Sequence, residues 1–326
     1  MHSDQYPQPS SAPLPLEAIA ENQLIPTAPA GFRSGFVGLI GRPNVGKSTL
    51  MNALVGQKIA ITSPIAQTTR NRLRGILTTS TAQIIFVDTP GIHKPHHQLG
   101  EVLVQNARIA IHSVDVVLFV VDGAEAVGGG DRYIADLLVH ADVPIVLGIN
   151  KADQQSGQAE AIDDGYRQLA NTHQWTITKF SALTQDGLTA LQDLLIQRLD
   201  LGPYYYPPDL VTDQPERFIM AELIREQILL LTREEVPHSV AIVIDRVDEE
   251  PEITRILATI HVERSSQKGI LIGKGGSMLK AIGTAARQQI QKLVMGKVYL
   301  ELFVKVKPKW RQSRGQLADF GYRVEK

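Results

Sequence analysis

The stretch Gly41-Arg42-Pro43-Asn44-Val45-Gly46-Lys47-Ser48 fits the spacing G-x-x-x-x-G-K-[ST] at every fixed position. Before it, Phe36–Ile40 is an apolar run that reads as a buried strand; after it, Thr49–Val55 reads as the first turns of a helix. Strand, glycine-rich loop and helix are what a phosphate-binding loop requires. Glycines let the backbone wrap an anion without a Cβ in the way, and the helix N-terminus then faces it. In such a loop Lys47 reaches the β- and γ-phosphates and the Ser48 hydroxyl holds Mg²⁺.

With 326 residues the chain is too long for one ordinary core, so two domains are expected. It has no cysteine, which removes disulfide and thiolate chemistry and fits a reducing compartment. No apolar run is long enough to span a bilayer. The net charge of −1 hides an asymmetry. From Arg264 to Lys326 there are 14 Lys+Arg against 3 Asp+Glu, and from Tyr204 to Glu263 there are 5 against 13. The basic end suggests an anionic partner.

Residues 1–34 are rich in Pro, Ser and Ala and read as a disordered extension, with a weak helical signal at Leu16–Gln23. Residues 35–201 alternate apolar strands with amphipathic helices, the pattern of an α/β domain with a mostly parallel sheet and helices on both faces. The expected strands are Phe36–Ile40, Ala82–Asp88, Val116–Asp122, Ile145–Asn150 and Thr176–Phe180, followed by a helix over Leu188–Leu199. Residues 202–214, with Tyr204-Tyr205-Tyr206-Pro207-Pro208, read as a semi-rigid linker whose tyrosines pack on a neighbouring domain.

Ligands of such sheets gather at the carboxyl ends of the strands, and the remaining motifs lie there. Asp88-Thr89-Pro90-Gly91 offers a carboxylate for Mg²⁺ through its water shell and, at Gly91, an N–H that can sense a γ-phosphate. Asn150-Lys151-Ala152-Asp153 places a carboxylate where it can accept from the N1/N2 edge of guanine, with Asn150 bracing the loop near N7 and the Lys151 stem along the base. Ser181-Ala182-Leu183 supplies a backbone N–H, at Ala182, for guanine O6. This order of motifs resembles the translation-factor-like class of small GTPases. The resemblance implies Thr68 or Thr69, within Ala66-Gln67-Thr68-Thr69-Arg70, as the switch residue that closes on Mg²⁺, with Thr69 favoured. The glutamine that orients water in Ras-like enzymes is replaced by Ile92, so slow hydrolysis or another device is expected. Asn44 leaves two roles open: bracing the loop, or helping to hold a potassium ion, as in related GTPases. His93, His96 and His97 follow without a second ligand cluster and read as exposed switch residues rather than a metal site.

Residues 215–326 form the second domain. Arg217–Thr232 has helical spacing, with Phe218, Leu223, Ile224, Ile228 and Leu231 on its apolar side. Val240–Asp245, Ile253–Val262 and Tyr299–Lys305 read as strands, the middle one with Thr254 and Ala258 on a solvated face. Between them lie the apolar run Ile270-Leu271-Ile272, the loop Gly273-Lys274-Gly275-Gly276 and a helix from about Met278 to Leu293, with Leu279, Ile282, Ala286, Ile290 and Leu293 facing inward. An apolar run, a G-x-x-G loop and a helix make the centre of an α+β KH domain, whose loop clamps a single-stranded RNA backbone. Ile270, Gly273, Lys274, Gly275, Gly276 and Lys280 are the candidate RNA contacts.

A P-loop GTPase domain followed by a C-terminal KH domain resembles the Era family of ribosome-assembly GTPases. The likeness rests on Gly41–Ser48, Gln67–Arg70, Asp88–Gly91, Asn150–Asp153, Tyr204–Pro208, Thr212–Phe218, Val236–Val240 and Gly269–Gly276. It implies GTP/GDP and Mg²⁺ as ligands and binding to the 3′ end of small-subunit ribosomal RNA in the maturing small subunit. It also implies a sheet and groove order unlike the eukaryotic KH type. A cytoplasmic protein with peripheral, nucleotide-dependent attachment to the inner face of the membrane is the expected location. Nothing points to an obligate protein partner. The competing readings are a constitutive single-stranded RNA-binding protein with a structural nucleotide site, and a membrane or tRNA-modification GTPase; the G-x-x-G element argues against a purely lipid-binding basic end.

Overall fold

The structure, a computed structural model, describes residues 25–65, 68–92, 98–155, 157 and 159–322. The expectations for Leu16–Gln23, Ala66, Gln67, His93, His96 and His97 lie outside the described residues.

The first domain runs β1 (Arg33–Ile40), α1 (Lys47–Val55), β2 (Leu73–Thr78), β3 (Ala82–Asp88), α2 (Gln98–Ile111), β4 (Val116–Asp122), α3 (Gly129–Leu138), β5 (Ile145–Asn150), α4 (Ala159–Thr172), β6 (Thr176–Lys179) and α5 (Leu188–Ile196). The sheet order is β2-β3-β1-β4-β5-β6, and every pair is parallel except β2 with β3. Strands buried on both faces read as unbroken apolar runs, and all seven residues of β4 are buried. Val37, Leu39, Leu118 and Val120 pack against α1 and α5 on one face. Ile40, Val117, Phe119 and Val121 pack against α2, α3 and α4 on the other. Each large apolar side chain so buried contributes roughly 1.5–3 kcal/mol before chain entropy is set against it.

Three boundaries differ from expectation, the smallest at β6, which ends at Lys179 rather than Phe180. β1 starts at Arg33 rather than Phe36, and Phe32 is buried before it, so ordered chain begins within residues 1–34. α5 ends at Ile196, three residues early. Chain entry and exit are stitched together. Arg33 bridges Leu201, the Gly202 N–H donates to the Phe32 carbonyl at 3.1 Å, and the Tyr204 ring lies 4.4 Å from that of Phe32. Tyr205 packs on Phe36, and Tyr206 donates to Asp213. The segment then runs beside β2, where the Ile76 N–H reaches the Val211 carbonyl and Arg74 pairs with Asp213 at 2.6 Å.

The second domain runs α6 (Glu216–Leu231), β7 (Ala241–Glu250), β8 (Ile253–Val262), α7 (Ser265–Ile272), α8 (Ser277–Ile290), β9 (Lys297–Val306) and α9 (Arg314–Asp319). β7 pairs antiparallel with β8, and β8 parallel with β9. α6 and α8 pack on one face through Leu223, Ile224, Ile228, Ile282, Ala286 and Ile290. Three side-chain expectations fail here. Thr254 and Ala258 are buried, because the period-2 register turns them, with Ile256 and Ile260, towards the helices; Arg255 takes the solvent side. Leu231, at the last turn of α6, is 41% exposed. Leu293 lies beyond the end of α8 and is 45% exposed. Ile270-Leu271-Ile272 is the last turn of α7, where only Leu271 is buried.

The domains meet along the segment before β2. Ile61 enters the second domain's core. Glu226 of α6 is buried and accepts from the Thr62 N–H at 2.9 Å and from Lys58 Nζ at 2.6 Å.

Candidate active site and nucleic-acid interface

The nucleotide motifs gather at the carboxyl ends of β1, β3, β5 and β6. Gly41 passes so close to β4 that a Cβ would stand 2.3 Å from the Val120 carbonyl oxygen. Gly46 has φ 97°, and a Cβ there would meet Asn150 Nδ2 at 2.3 Å. The chain can turn here only with glycine, and α1 then begins at Lys47 with its first N–H groups unpaired within the helix.

Lys47 is buried, its Nζ donating to the carbonyls of Gly41 (3.2 Å) and Arg42 (2.9 Å). Burial pushes its ammonium down from 10.5 to about 8, opposed by the charge of Asp88. Ser48 Oγ donates to Asp88 Oδ2 at 2.6 Å, and Thr69 Oγ1 donates to the same oxygen at 3.1 Å. Burial pushes the Asp88 carboxyl up, while Lys47 and the two hydroxyls pull it down. Asp88 Oδ1 is buried with no hydrogen-bond partner among the described residues. Thr68 turns the other way and donates to the Ile65 carbonyl at 2.6 Å. Thr69 is therefore the threonine that the chain brings to Ser48 and Asp88.

Thr89 donates to the Leu39 carbonyl at 2.8 Å, and Pro90 is buried beside it. Gly91 crosses Pro43 so closely that a Cβ would stand 2.5 Å from the proline nitrogen. Pro43, Asn44, Gly46, Lys47, Ser48, Thr49, Thr69, Gly91 and Lys151 all face one cavity. Ile92 is 2% exposed and packs in the core with Ile40 and Val87. Asn44 has φ 65° and donates to the Pro64 carbonyl at 2.8 Å, tying the loop to the switch segment. Arg42 points sideways, to Asp131 at 2.7 Å and Glu125 at 2.9 Å.

Asn150 braces two loops: Nδ2 donates to the Val45 carbonyl at 2.8 Å, and Oδ1 accepts from the Ala182 N–H at 2.9 Å. The expected Ala182 N–H for guanine O6 is thus engaged by Asn150, because the side chain fills the gap between the loops. Lys151, with φ 62°, pairs with Asp122 at 2.5 Å. Ser181 Oγ donates to Asp153 Oδ1 at 2.6 Å, which orients that carboxylate. Leu183 is 70% exposed beside it. Asp122 and Pro64 were not singled out in the sequence; a strand-terminal aspartate facing a lysine from the next strand was the one signal available for the first.

In the second domain the glycine loop sits between α7 and α8. Gly273 has φ 72°, and a Cβ there would crowd the Met278 backbone nitrogen at 2.8 Å. Gly275 and Gly276 have positive φ and open space in front of them. Lys274, Gly275, Lys280 and Ile270 are exposed around the loop. Among the described residues no group of three or more His, Cys, Asp or Glu could hold a metal ion, and no helix is long and apolar enough to cross a membrane.

A P-loop sheet in which Thr69 meets the loop serine, joined to a β-α-α-β unit with a glycine loop, defines a GTPase with a C-terminal KH domain. Residues 36–151 match the family described as 50S ribosome-binding GTPase, and residues 235–311 match the KH domain. The chain belongs to the Era family of GTPases: it is 76% identical over 301 residues to GTPase Era of Nostoc sp., covering 92% of this chain and 93% of that protein. It is 70% identical over 302 residues to GTPase Era of Synechocystis sp., covering 92% and 96%. A crystal structure of Era with MgGDPNP and nucleotides 1506–1542 of 16S ribosomal RNA superposes with a TM-score of 0.86 at 38% identity, covering 89% of this chain and 99% of that one. An Aquifex aeolicus Era variant bound to GDP·AlF4⁻ gives the same figures. The chain is accordingly a GTP-binding, GTP-hydrolysing enzyme.

Proposed function

We propose that GTP hydrolysis by this chain times its hold on the 3′ end of small-subunit ribosomal RNA during assembly of the small ribosomal subunit. The observation that carries the reading is the convergence of Thr69, Ser48 and Asp88 in a chain that also presents a G-x-x-G loop at the start of a helix. The likeness to an Era structure holding 16S ribosomal RNA supports the choice of RNA.

Ser48 Oγ, Thr69 Oγ1 and Asp88 form an oxygen-only donor set, and the unpartnered Asp88 Oδ1 leaves a lone pair to be satisfied. That set fits Mg²⁺, with Ser48 and Thr69 as direct ligands and Asp88 acting through water. When bound, Mg²⁺ offsets charge on the β- and γ-phosphates. Lys47 gives up its two carbonyl partners for the same phosphates, and the N–H groups of Asn44–Thr49 line the remaining oxygens. Asp153, oriented by Ser181, accepts from the guanine N1/N2 edge and so rejects adenine. Thr69 and the Gly91 N–H report the γ-phosphate. Ile92 has no hydrogen bond to offer water, so intrinsic turnover is slow. Asn44 is the group placed to help hold K⁺ at the phosphates; hydrolysis at equal rates in Na⁺ and K⁺ sinks that role.

In the second domain, Gly273–Gly276 clamps the sugar–phosphate backbone, with Lys274 and Lys280 adding charge and Ile270 an apolar contact. GTP and RNA affinities are reciprocally coupled in this reading. A cytoplasmic protein that attaches peripherally to the inner face of the membrane completes it, and flotation with anionic vesicles in the GTP and GDP states tests the attachment. The central test is binding of a fluorescent single strand from the 3′ end of small-subunit ribosomal RNA, at one salt concentration, in apo, GDP and non-hydrolysable GTP states. Tight binding with the GTP analogue and weak binding with GDP is expected, with loss in Gly275→Asp. Equal binding in all states leaves a constitutive RNA-binding protein and removes the timer.

A further inference from the structure

Arg70 follows Thr69 directly and is 1% exposed. Its guanidinium is committed to the second domain. It donates to the carbonyls of Val240 (2.6 Å), Pro237 (3.2 Å) and His238 (3.2 Å), and to the Tyr322 hydroxyl at 3.4 Å. Its Cζ lies 6.0 Å from the Trp310 ring centroid and 5.8 Å from that of Tyr322. Trp310 and Tyr322 belong to the C-terminal cap, which packs with Leu317 and also touches Leu99 and Leu103 of α2. One residue to the other side, the Thr68 carbonyl accepts from the buried Arg225 of α6. The second domain therefore grips the peptide on both sides of Thr69.

Four acceptors of the second domain, from the turn before β7 and from the aromatic cap, meet the two terminal nitrogens of this buried guanidinium, while its Nε has no partner among the described residues. Consecutive Cα atoms are about 3.8 Å apart, so fixing Arg70 leaves Thr69 little room to leave Ser48 and Asp88. We infer that Arg70 is a positioning residue: the docked second domain holds Thr69 at the Ser48–Asp88 cluster through it, and GTP hydrolysis depends on that docking. The inference deepens the proposed switch and rests on Thr69 being a magnesium ligand. The competing possibility is that Arg70 is an interdomain staple with no bearing on the chemistry.

The two differ in a double-mutant cycle on the full-length chain. Single-turnover GTP hydrolysis, affinity for a fluorescent GDP and the Mg²⁺ concentration that half-saturates the GTP-analogue complex are measured for wild type, Thr69→Ala, Arg70→Lys and the double variant. Leu317→Ala, which loosens the cap without touching Arg70 or the nucleotide motifs, supplies a second route should Arg70→Lys not fold. Positioning requires Arg70→Lys to slow hydrolysis at least tenfold and raise the Mg²⁺ requirement, with GDP affinity within about twofold of wild type. It also requires the loss to vanish in the Thr69→Ala background, because the residue being positioned is gone. Leu317→Ala must shift the same two quantities in the same direction. A folded Arg70→Lys or Leu317→Ala with a wild-type rate overturns the inference, as does a loss of equal size with and without Thr69. If Thr69→Ala itself changes neither rate nor Mg²⁺ requirement, the magnesium reading falls first and takes this inference with it.

Discussion

Thr69 Oγ1 lies 2.8 Å from Ser48 Oγ, and both hydroxyls reach the same oxygen of Asp88. A residue from a long connecting segment is thereby joined to the first turn of α1. If this is the magnesium cluster, Thr69→Ala should lower GTP hydrolysis by about tenfold or more, the equivalent of roughly 1.4 kcal/mol or more of transition-state stabilisation. GDP affinity should change little, since the switch threonine is a contact of the triphosphate state. Single-turnover rates beside GDP titrations separate the two.

Asp153 is oriented by Ser181, and in the proposed reading it accepts from the guanine edge. Asp153→Asn replaces one carboxylate oxygen with an NH2 donor, leaving one of the two guanine N–H groups facing a donor and without an acceptor. Charge-assisted hydrogen bonds are worth ~1.5–3 kcal/mol, so GTP affinity should fall about 10–100-fold. Xanthosine triphosphate, which carries a carbonyl where guanine carries its amine, should bind the variant better than it binds the wild type. Competition titrations with both nucleotides decide.

The Lys47 ammonium is pushed down to about 8 by burial, against 10.5 for an ordinary lysine. Between those pH values the unfolded chain binds more protons than the folded one, so stability rises with pH across that window. Below about pH 8 the cost of burying the charge is present in full, on the order of 3 kcal/mol. Denaturant unfolding of nucleotide-stripped protein at pH 7 and 10, with Lys47→Met as reference, should show a larger gain with pH in the wild type. Bound GDP should flatten the difference, because phosphate favours the charged lysine.

Glu226 is 2% exposed and joins the domains through Thr62 and Lys58. Glu226→Ala leaves the half-buried Thr62 N–H without its partner and removes a buried carboxylate from the domain junction, and should cost ~1–3 kcal/mol. Lys58 is 40% exposed on its side chain, so Lys58→Ala should cost about 1 kcal/mol or less. Thermal unfolding of both variants tests the order of the two effects.

Gly273→Ala forces a Cβ against the Met278 backbone nitrogen, where α8 begins. The start of that helix and the loop that leads into it should deform, and RNA binding should fall at least tenfold while GTP hydrolysis without RNA stays within about twofold. Fluorescence anisotropy with the single-stranded RNA, beside phosphate release, reads both.

The strands β3, β4 and β5 match their sequence expectations residue for residue, because parallel strands buried on both faces leave an unbroken apolar signal. The loop motifs were legible for a different reason: their chemistry is carried by contiguous backbone, and so by contiguous residues. β2 was missed. Leu73–Thr78 is an edge strand with an arginine and a glycine, and its place beside β3 follows from antiparallel pairing rather than from its own pattern. The face of β8 was misread because Thr254 and Ala258 are small or polar by type, yet the register sets them inward. Arg70 was beyond reach altogether. Its partners lie 167 to 252 residues away and are mostly carbonyls, which every residue possesses and no sequence pattern marks.

The pairing of Arg33 with Leu201 has a mechanical consequence. The chain enters and leaves the first domain side by side at the amino end of β1, whereas the phosphate loop begins at its carboxyl end. Tension applied through the amino-terminal extension would load that local junction, where the Phe32–Tyr204 contact and the Gly202–Phe32 hydrogen bond stand before β1. Tension from the second domain would first meet the Arg74–Asp213 pair and the Ile76–Val211 hydrogen bond beside β2. Each end of the chain is thus moored at its own seam, away from the phosphate loop.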